Sequence, residues 1–355
     1  MKKLFYQIVA LFTALFTTNF SANADAFSST ILLEARQKIA DRLQMYEQRK
    51  NVSKIVDCAI KSTSLSAPVL EASKDLQTAK LTYIKNKLFT EYTTRTCTPV
   101  GEQAGSGIAS VSFVHREVRG YVSKSQAGVN DFDYTTQLAN LLLQLEQSLF
   151  VRVDSYMATQ LASLVSTVNA ADGQPNNLNV STMEVANADI KRFYSLIASD
   201  MAINNYDGIG FFDIANTAWK ATHNGNNFGA YTNLLDKPED NGVEQFFSNT
   251  LSAGNYSSLH YIIPEGGLYY VQRIPDMYDG EIRGTEQKLK YESKLHPGMM
   301  LELTIVKSCA DTSSDGGQLG DSVDTFVLGT TFTFGAYPLS AAGETLVYKY
   351  ATLNA

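Results

Sequence analysis

The sequence predicts an α+β chain, and three observations carry that expectation. A forty-residue helical stripe runs through 130–170, residues from 257 onward read mostly as strands, and the two textures occupy separate stretches instead of alternating.

The long stripe is the strongest periodic signal. Leu138, Leu141, Leu142, Leu145, Leu149, Val153, Met157, Leu161, Leu164, Val165 and Val168 recur at steps of three and four, and from Asp131 no glycine or proline interrupts them until Gly173. Asp131 or Asp133 can accept from the free amides of the first turn, and Gly173 with Pro175 stops the run. At ~1.5 Å per residue, roughly forty residues predict a rod near 60 Å, against a usual ~12 residues, so it needs a surface to lie on.

Upstream, Lys2 and Lys3 precede an apolar run, Leu4 to Phe16, and Ala22-Asn23-Ala24 offers small residues at signal-peptidase spacing. This predicts a cleaved secretory signal or, alternatively, an apolar arm packed on a neighbour. The run is too short for a stable membrane span, and no other segment comes near one. Ser28–Lys50 shows a helical face of Ile31, Leu32, Ala35, Ile39, Leu43 and Tyr46, and Leu70–Thr90 shows another of Leu76, Leu81, Ile84 and Leu88. Residues 25–98 therefore read as an extended, mainly helical arm. After a Gly-rich hinge (101–107), Ile108–Val114 and Val118–Val122 alternate like the strands of a long hairpin with a charged tip, His115, Arg116 and Glu117.

Downstream, Met183–Ile203 predicts a second helix with Ile190, Phe193, Tyr194, Ile197 and Met201 on one face. Phe211–Trp219 reads as a strand followed by a helix start. Leu259–Pro264 and Leu268–Ile274 flank the turn 264–267, Gln287–Leu295 and Met299–Cys309 flank His296-Pro-Gly, and Val323–Phe334 alternates as a strand.

Composition narrows the function. The chain has 355 residues, 44% hydrophobic, enough for two linked domains or one elaborated domain. Charged residues make up 18%, below the ~25% norm, while 19 Tyr and 18 Phe enrich the chain in aromatics, which favours packing against other proteins. The net charge of −7 is uneven: residues 1–130 hold 17 Lys/Arg against 10 Asp/Glu, and the remainder 12 against 26. A basic arm on an acidic body can dock on another copy of itself or on nucleic acid, although no like-charge run is long enough for a dedicated nucleic-acid tail.

Catalytic patterns are missing. Cys58, Cys97 and Cys309 form no zinc spacing; one bridge, Cys58 to Cys97, is expected only if the chain is exported. His115, His223, His260 and His296 sit in unlike contexts with no HExxH, the hinge lacks the Lys-Ser/Thr of a phosphate loop, and no Gly-x-Ser-x-Gly elbow occurs. Asp311, Asp315, Asp321 and Asp324 lie near glycines and supply hard oxygen ligands of the kind Ca²⁺ takes, but without the Asp-x-Asp-x-Asp-Gly order, which favours a solvated loop. No cofactor and no enzymatic activity are expected.

The order of elements resembles that of the major capsid proteins of tailed bacteriophages, the Hong Kong ninety-seven-type fold. Three segments carry the resemblance beyond the long helix: 204–221 (NNYDGIGFFDIANTAWKA), Tyr261–Leu268 followed by Val271–Pro275, and Leu301–Val306 with the strand at 323–334. Beyond the signal-like segment at 1–24, it implies an N-terminal helical arm at 25–98, an extended two-stranded loop at 99–130, a spine helix and peripheral domain at 131–210, and a mainly axial domain at 211–355. It further implies a structural subunit of the virion capsid, an icosahedral shell around double-stranded DNA. Partners would be copies of itself in hexamers and pentamers, packaged DNA by non-specific contact, and scaffold, portal or decoration proteins, with no membrane in the mature form. Assembly contacts are expected at Arg116, Arg119, Lys124, Leu138, Leu142, Leu145 and Leu149. The family's self-crosslinking chemistry is not implied, because no Lys/Asn pair aligns with it. An export signal does not fit a subunit that assembles in the cytoplasm. The alternative is an exported periplasmic or cell-surface structural or binding protein, cleaved after Ala24.

Overall fold

A computed structural model describes residues 54–63, 78–84, 105–123, 134–165, 182–203, 210–219, 239–240, 243–273, 282–283, 286–293, 299–309, 322–337 and 345–353, with single positions at 91, 93, 101, 103 and 296. The signal-like segment, the helix expected at 28–50, Val168, Cys97, Lys124, His223, Asp311, Asp315 and Asp321 lie outside them.

In chain order the elements are α1 (Ile55–Ser62), β1 (Thr78–Ile84), β2 (Ser106–Ser112), β3 (Val114–Ser123) and the long helix α2 (Tyr134–Ser163). β4 (Met183–Val185), a 3₁₀ segment (Asn187–Arg192) and α3 (Phe193–Ile203) follow. Apart from a helical turn at 217–219, the later described elements are strands: β5 (Phe211–Asn216), β6 (Glu239–Asp240), β7 (Val243–Ser248), β8 (Ser258–Pro264), β9 (Leu268–Arg273), β10 (Ile282–Arg283), β11 (Glu286–Glu292), β12 (Met300–Cys309), β13 (Ser322–Ala336) and β14 (Tyr348–Thr352). The α+β expectation is met.

Two sheets and one ribbon organise the chain. The first sheet runs β10-β11-β12-β13-β3, with β9 also on β13. Fifteen-residue β13 is its axis, pairing with β3 over Val323–Phe332, with β12 over Ser322–Gly329 and with β9 over Thr331–Ala336. Where β9 and β12 meet beside β13, the Gln272 amide acts as a peptide unit: it donates to Met300 O at 3.1 Å and accepts from Met300 N at 2.8 Å. The second sheet runs β4-β14-β8-β5-β7-β6, and β1 with β2 forms a separate antiparallel ribbon.

The long helix is 30 residues, ~45 Å at 1.5 Å each, and ends earlier than the stripe predicts. Leu138, Leu142, Leu145, Leu149, Val153, Met157 and Leu161 are buried in one core with Leu303, Phe326, Leu328, Phe246 and Ile263, so both sheets contribute to the surface it lies on. Gly120 on β3 sets the approach distance. A Cβ there would lie 2.7 Å from Leu141 Cδ1, closer than atoms tolerate, so a larger residue would force the Leu141 side chain to shift.

The two sheets differ in solvation. On β12, Leu301, Leu303 and Ile305 are buried while Glu302, Thr304 and Val306 are not, the period-2 pattern of a sheet wet on one face. The second sheet is covered twice: Phe212, Ile214, Phe246 and Ile263 face the α1–α2 side, while Phe211, Ala215, Val243, Ile262 and Tyr350 pack with Phe193, Tyr194, Ile197 and Met201 of the 193–203 helix. Its strands are accordingly buried without alternation, all seven residues of β8 and all six of β5.

Three sequence expectations need correcting. Within Leu70–Thr90, residues 78–84 are a strand; Thr78, Lys80 and Thr82 are exposed and Leu81 is buried, an alternation hidden inside a helical-looking window. The predicted hairpin of 108–122 does not close on itself. β2 pairs with β1, β3 pairs with β13, and only Phe113 separates them. His115, Arg116 and Glu117 consequently sit in mid-strand opposite Thr331, Thr330 and Gly329, not at a tip. The start of the predicted 183–203 helix is β4, drawn into a parallel ladder with β14.

The arm expectation for 25–98 also gives way at α1, where Ile55, Val56, Cys58, Ala59 and Ser62 are buried. Its end covers the free edge of β9: Leu268 N donates to Ser62 Oγ at 3.2 Å and Tyr270 N to Thr63 Oγ1 at 2.8 Å. The 264–267 turn behaves as predicted; Gly267 N bonds Pro264 O at 2.9 Å and Gly266 has φ +80, the left-handed position of a type II turn.

Candidate functional site

The sequence points to assembly contacts, and the described residues place them unequally. Leu138, Leu142, Leu145 and Leu149 are at most 5% exposed, inside the chain's own core, so they hold α2 in place and present nothing to a neighbour. Arg116 turns toward the long helix, its guanidinium 4.8 Å from the Tyr156 ring centre. Arg119 is outward and pairs with Glu117, Nε to Oε1 at 2.9 Å, and this bond with a weaker one from His115 holds the Glu117 carboxyl below its usual range.

Among the described residues two weakly charged surfaces are open instead. The ribbon puts one face on the first sheet, where Leu81 is buried with Tyr269 and Val271 and Val111 and Phe113 pack alongside. Its other face is Thr78, Lys80, Thr82, Ser106, Ile108, Ser110 and Ser112, all exposed, with Ile108 at 67%. The second open surface is the outer stripe of α2: Gln144, Ser148, Val151, Arg152, Ser155, Thr159, Ala162 and Ser163. Arg152 is its single charge, a sparse count for a solvated helix face.

A second cluster has the look of chemistry. On the α3 side of the second sheet, His260 Nδ1 lies 3.1 and 3.0 Å from the two Asp213 carboxylate oxygens, and its Nε2 lies 2.8 Å from Ser258 Oγ. Trp219 Nε1 donates to Tyr194 OH at 2.9 Å, and Tyr194 OH donates to Asp213 Oδ2 at 2.8 Å. The Ser–His–Asp order has the spacing of a nucleophile relay. Yet Ser258 is 1% exposed, His260 and Asp213 are 0%, and the Ser258 hydroxyl is also bonded to Thr352 on β14. No substrate carbonyl reaches that oxygen. The cluster satisfies polar groups that a doubly covered sheet has forced inside.

The third cluster joins α1, α2 and the second sheet. Asp154 on the long helix accepts from Ile55 N at 3.2 Å, Ser248 Oγ at 3.3 Å and Thr250 Oγ1 at 2.6 Å. Burial pushes its carboxyl up to about 6 against these bonds. Glu146, two turns earlier, accepts from Ser293, and His296 Nδ1 meets Asp57 Oδ1 at 2.7 Å with its ring edge-on to Phe150. On the far side of the sheet Asp200 is likewise pushed up to about 6 by burial, opposed by the Tyr350 hydroxyl at 3.0 Å.

Sequence reasoning weighed His260 without its partners and missed Asp213, Asp154 and Glu146. The signal was present: Asp213 sits inside an apolar run, Phe211-Phe212-Asp213-Ile214, and Glu146 and Asp154 lie three residues before Leu149 and Met157, on the apolar stripe of the long helix. Among the described residues no group of three or more His, Cys, Asp or Glu is placed to hold a metal ion, and no helix is long and apolar enough to cross a membrane. Of the four aspartates considered for Ca²⁺, Asp324 alone is described; its backbone is in β13, between Lys307 and Val122. Cys58 is a free, buried thiol whose ionisation burial opposes.

No protein-family model matches the chain, and no curated protein matches it. Among solved structures it is similar to the capsid structure of the cyanophage P-SCSP1u, at 12% identity and TM-score 0.47 over 79% of this chain and 85% of that one. It is also similar to a structure from Mycobacterium phage Bobi, at 12% identity and TM-score 0.46 over 97% and 98% of the two chains. A third likeness is to the asymmetric unit of the bacteriophage PhiM1 mature capsid, at 11% identity and TM-score 0.45 over 79% and 83%.

Proposed function

We propose that this chain is a structural subunit that assembles with copies of itself into an icosahedral phage capsid shell around double-stranded DNA. One observation supports this most directly: a ribbon with a wholly exposed, weakly charged outer face and a long helix with an equally weakly charged outer stripe. Soluble monomers cover such surfaces with mixed charge. Here Ser, Thr, Gln and Ala predominate, with Ile108 standing out at 67% exposure. These are surfaces suited to contact with protein, and two different patches on one chain make a head-to-tail interface that repeats.

Charge supplies the orientation. The basic first 130 residues of one copy meet the acidic remainder of the next, which selects partner geometry and speeds encounter. Hexamers and pentamers, non-specific contact with packaged DNA, and scaffold or portal partners belong to the same proposal. So does the peripheral–axial division, with α2 and α3 in the peripheral part and the strands from β5 onward mainly axial. No catalytic step is included.

Electron microscopy of the purified full-length chain tests the proposal, paired with Ile108→Asp. Wild-type protein is expected to form closed particles. The variant is expected to stay as small species with an unchanged melting temperature, because Ile108 contributes little to the monomer core. Early intermediates should weaken toward ~1 M salt, where the screening length falls to ~3 Å. A wild-type chain that remains monomeric at high concentration overturns the reading.

A further inference from the structure

We propose that Asp154 is a proton-sensitive clasp: α1 docks on the long helix and on the end of β7 more tightly when this carboxyl carries a proton. The inference starts from placement. Asp154 is 1% exposed, and its three donors, the Ile55 amide and the Ser248 and Thr250 hydroxyls, are all neutral. A carboxylate withdrawn from water onto neutral donors keeps its charge at a desolvation cost. If α1 leaves, water returns and that cost disappears. Docking and protonation are therefore linked.

The donor chemistry lets the clasp work in either state. An ionised Asp154 accepts three bonds. A protonated one still accepts from the Ile55 amide, and its own O–H can donate to Thr250 Oγ1, because a hydroxyl both donates and accepts. Thr250 can then turn its proton to Ser248 Oγ, 2.8 Å away. No bond has to be abandoned on protonation, while the desolvation cost is removed.

The sign follows from linkage. The docked carboxyl sits at about 6, and an exposed aspartate titrates near ~4. A raised acid stabilises its docked state fully below the lower value and loses that contribution as pH rises through the upper one. Between pH 7 and pH 5 the docking equilibrium should gain about tenfold. The charged and titratable groups on the packed elements are Lys54, Asp57, Cys58 and Lys61 on and beside α1, Glu244 on β7, His296 on the β11–β12 turn, and Glu146, Arg152 and Tyr156 on α2. Of these, His296 acts on Asp154 through charge and favours ionisation. Toward Asp154 it opposes the effect; its own contact with Asp57 on α1, at 2.7 Å, is separate from the clasp and remains in Asp154→Asn.

Hydrogen–deuterium exchange of the full-length chain between pH 5 and pH 7, corrected for intrinsic rates, tests this at the α1 amides. Wild-type protection in 58–62 is expected to rise about tenfold as pH falls from 7 to 5. Asp154→Asn, neutral at every pH, should hold α1 with protection that no longer varies. Thr250→Val removes a bond that favours the ionised form, so its midpoint should move upward. Protection that is flat or falls with acid in the wild type, or a wild-type slope persisting in Asp154→Asn, overturns the clasp. Should Asp154→Asn fail to fold, an unmoved midpoint in Thr250→Val overturns it instead.

Discussion

The two sheets have six described strands each, up to 15 residues long in the first and no more than seven in the second, and they treat polar residues in opposite ways. In the first sheet one face is open to solvent, and Lys290, Glu117 and Arg119 are exposed on it, the last two paired with each other. In the second sheet both faces are covered, so Asp213, His260, Ser258 and Gln245 are buried and most must find partners within the protein. Among the described residues Gln245 finds none: both polar atoms of its amide are buried without a bond. The comparison teaches that a catalytic-looking relay can be a by-product of burying polar strand residues, with exposure as the deciding observation.

Substitutions can break or sharpen this contrast. The largest effect is expected at Phe193, whose ring contacts those of Tyr194, Trp219, His260 and Tyr350. Phe193→Ala should cost about 3–5 kcal/mol in denaturant unfolding. Asp213→Ala leaves Tyr194 and His260 facing an empty acceptor and should cost about 3 kcal/mol. In the first sheet, Gly335 lies under the ring of Tyr269, whose hydroxyl would be 2.3 Å from an added Cβ, so Gly335→Ala should cost about 1–3 kcal/mol through overpacking.

A smaller effect concerns acid. Asp200, raised to about 6, stabilises the fold fully below its unfolded value near ~4, and loses that contribution as pH rises through about 6. The melting temperature of the wild type should therefore fall between pH 5 and pH 7 by more than that of Asp200→Asn. Smallest of all, Lys290→Ala on the wet face should change stability by less than about 0.5 kcal/mol. A large loss there would remove the distinction between the sheets.

The parts legible in the sequence were those with local periodicity. The stripe from Leu138 to Leu161, the face of Phe193, Ile197 and Met201, and strands such as 300–309 follow from spacing alone, because one helix or strand fixes which residues share a side. What spacing cannot give is partner choice. Nothing in Ile108–Val122 says that its first half pairs with residues 78–84 and its second with 323–332. The same limit placed Leu138 to Leu149 at a subunit contact: an apolar stripe requires cover but does not say whose. The open surfaces were harder still, since Ser and Thr on a ribbon face carry no periodic signal.

The passage from β2 to β3 through Phe113 has a mechanical meaning. A tug on the ribbon runs along an unbroken backbone into β3, whose ten residues lie antiparallel on β13. Tension along that axis loads the rungs in shear, all at once, and cannot peel them one by one. Whatever grips the outer face around Ile108 is thereby anchored to the longest of the described strands.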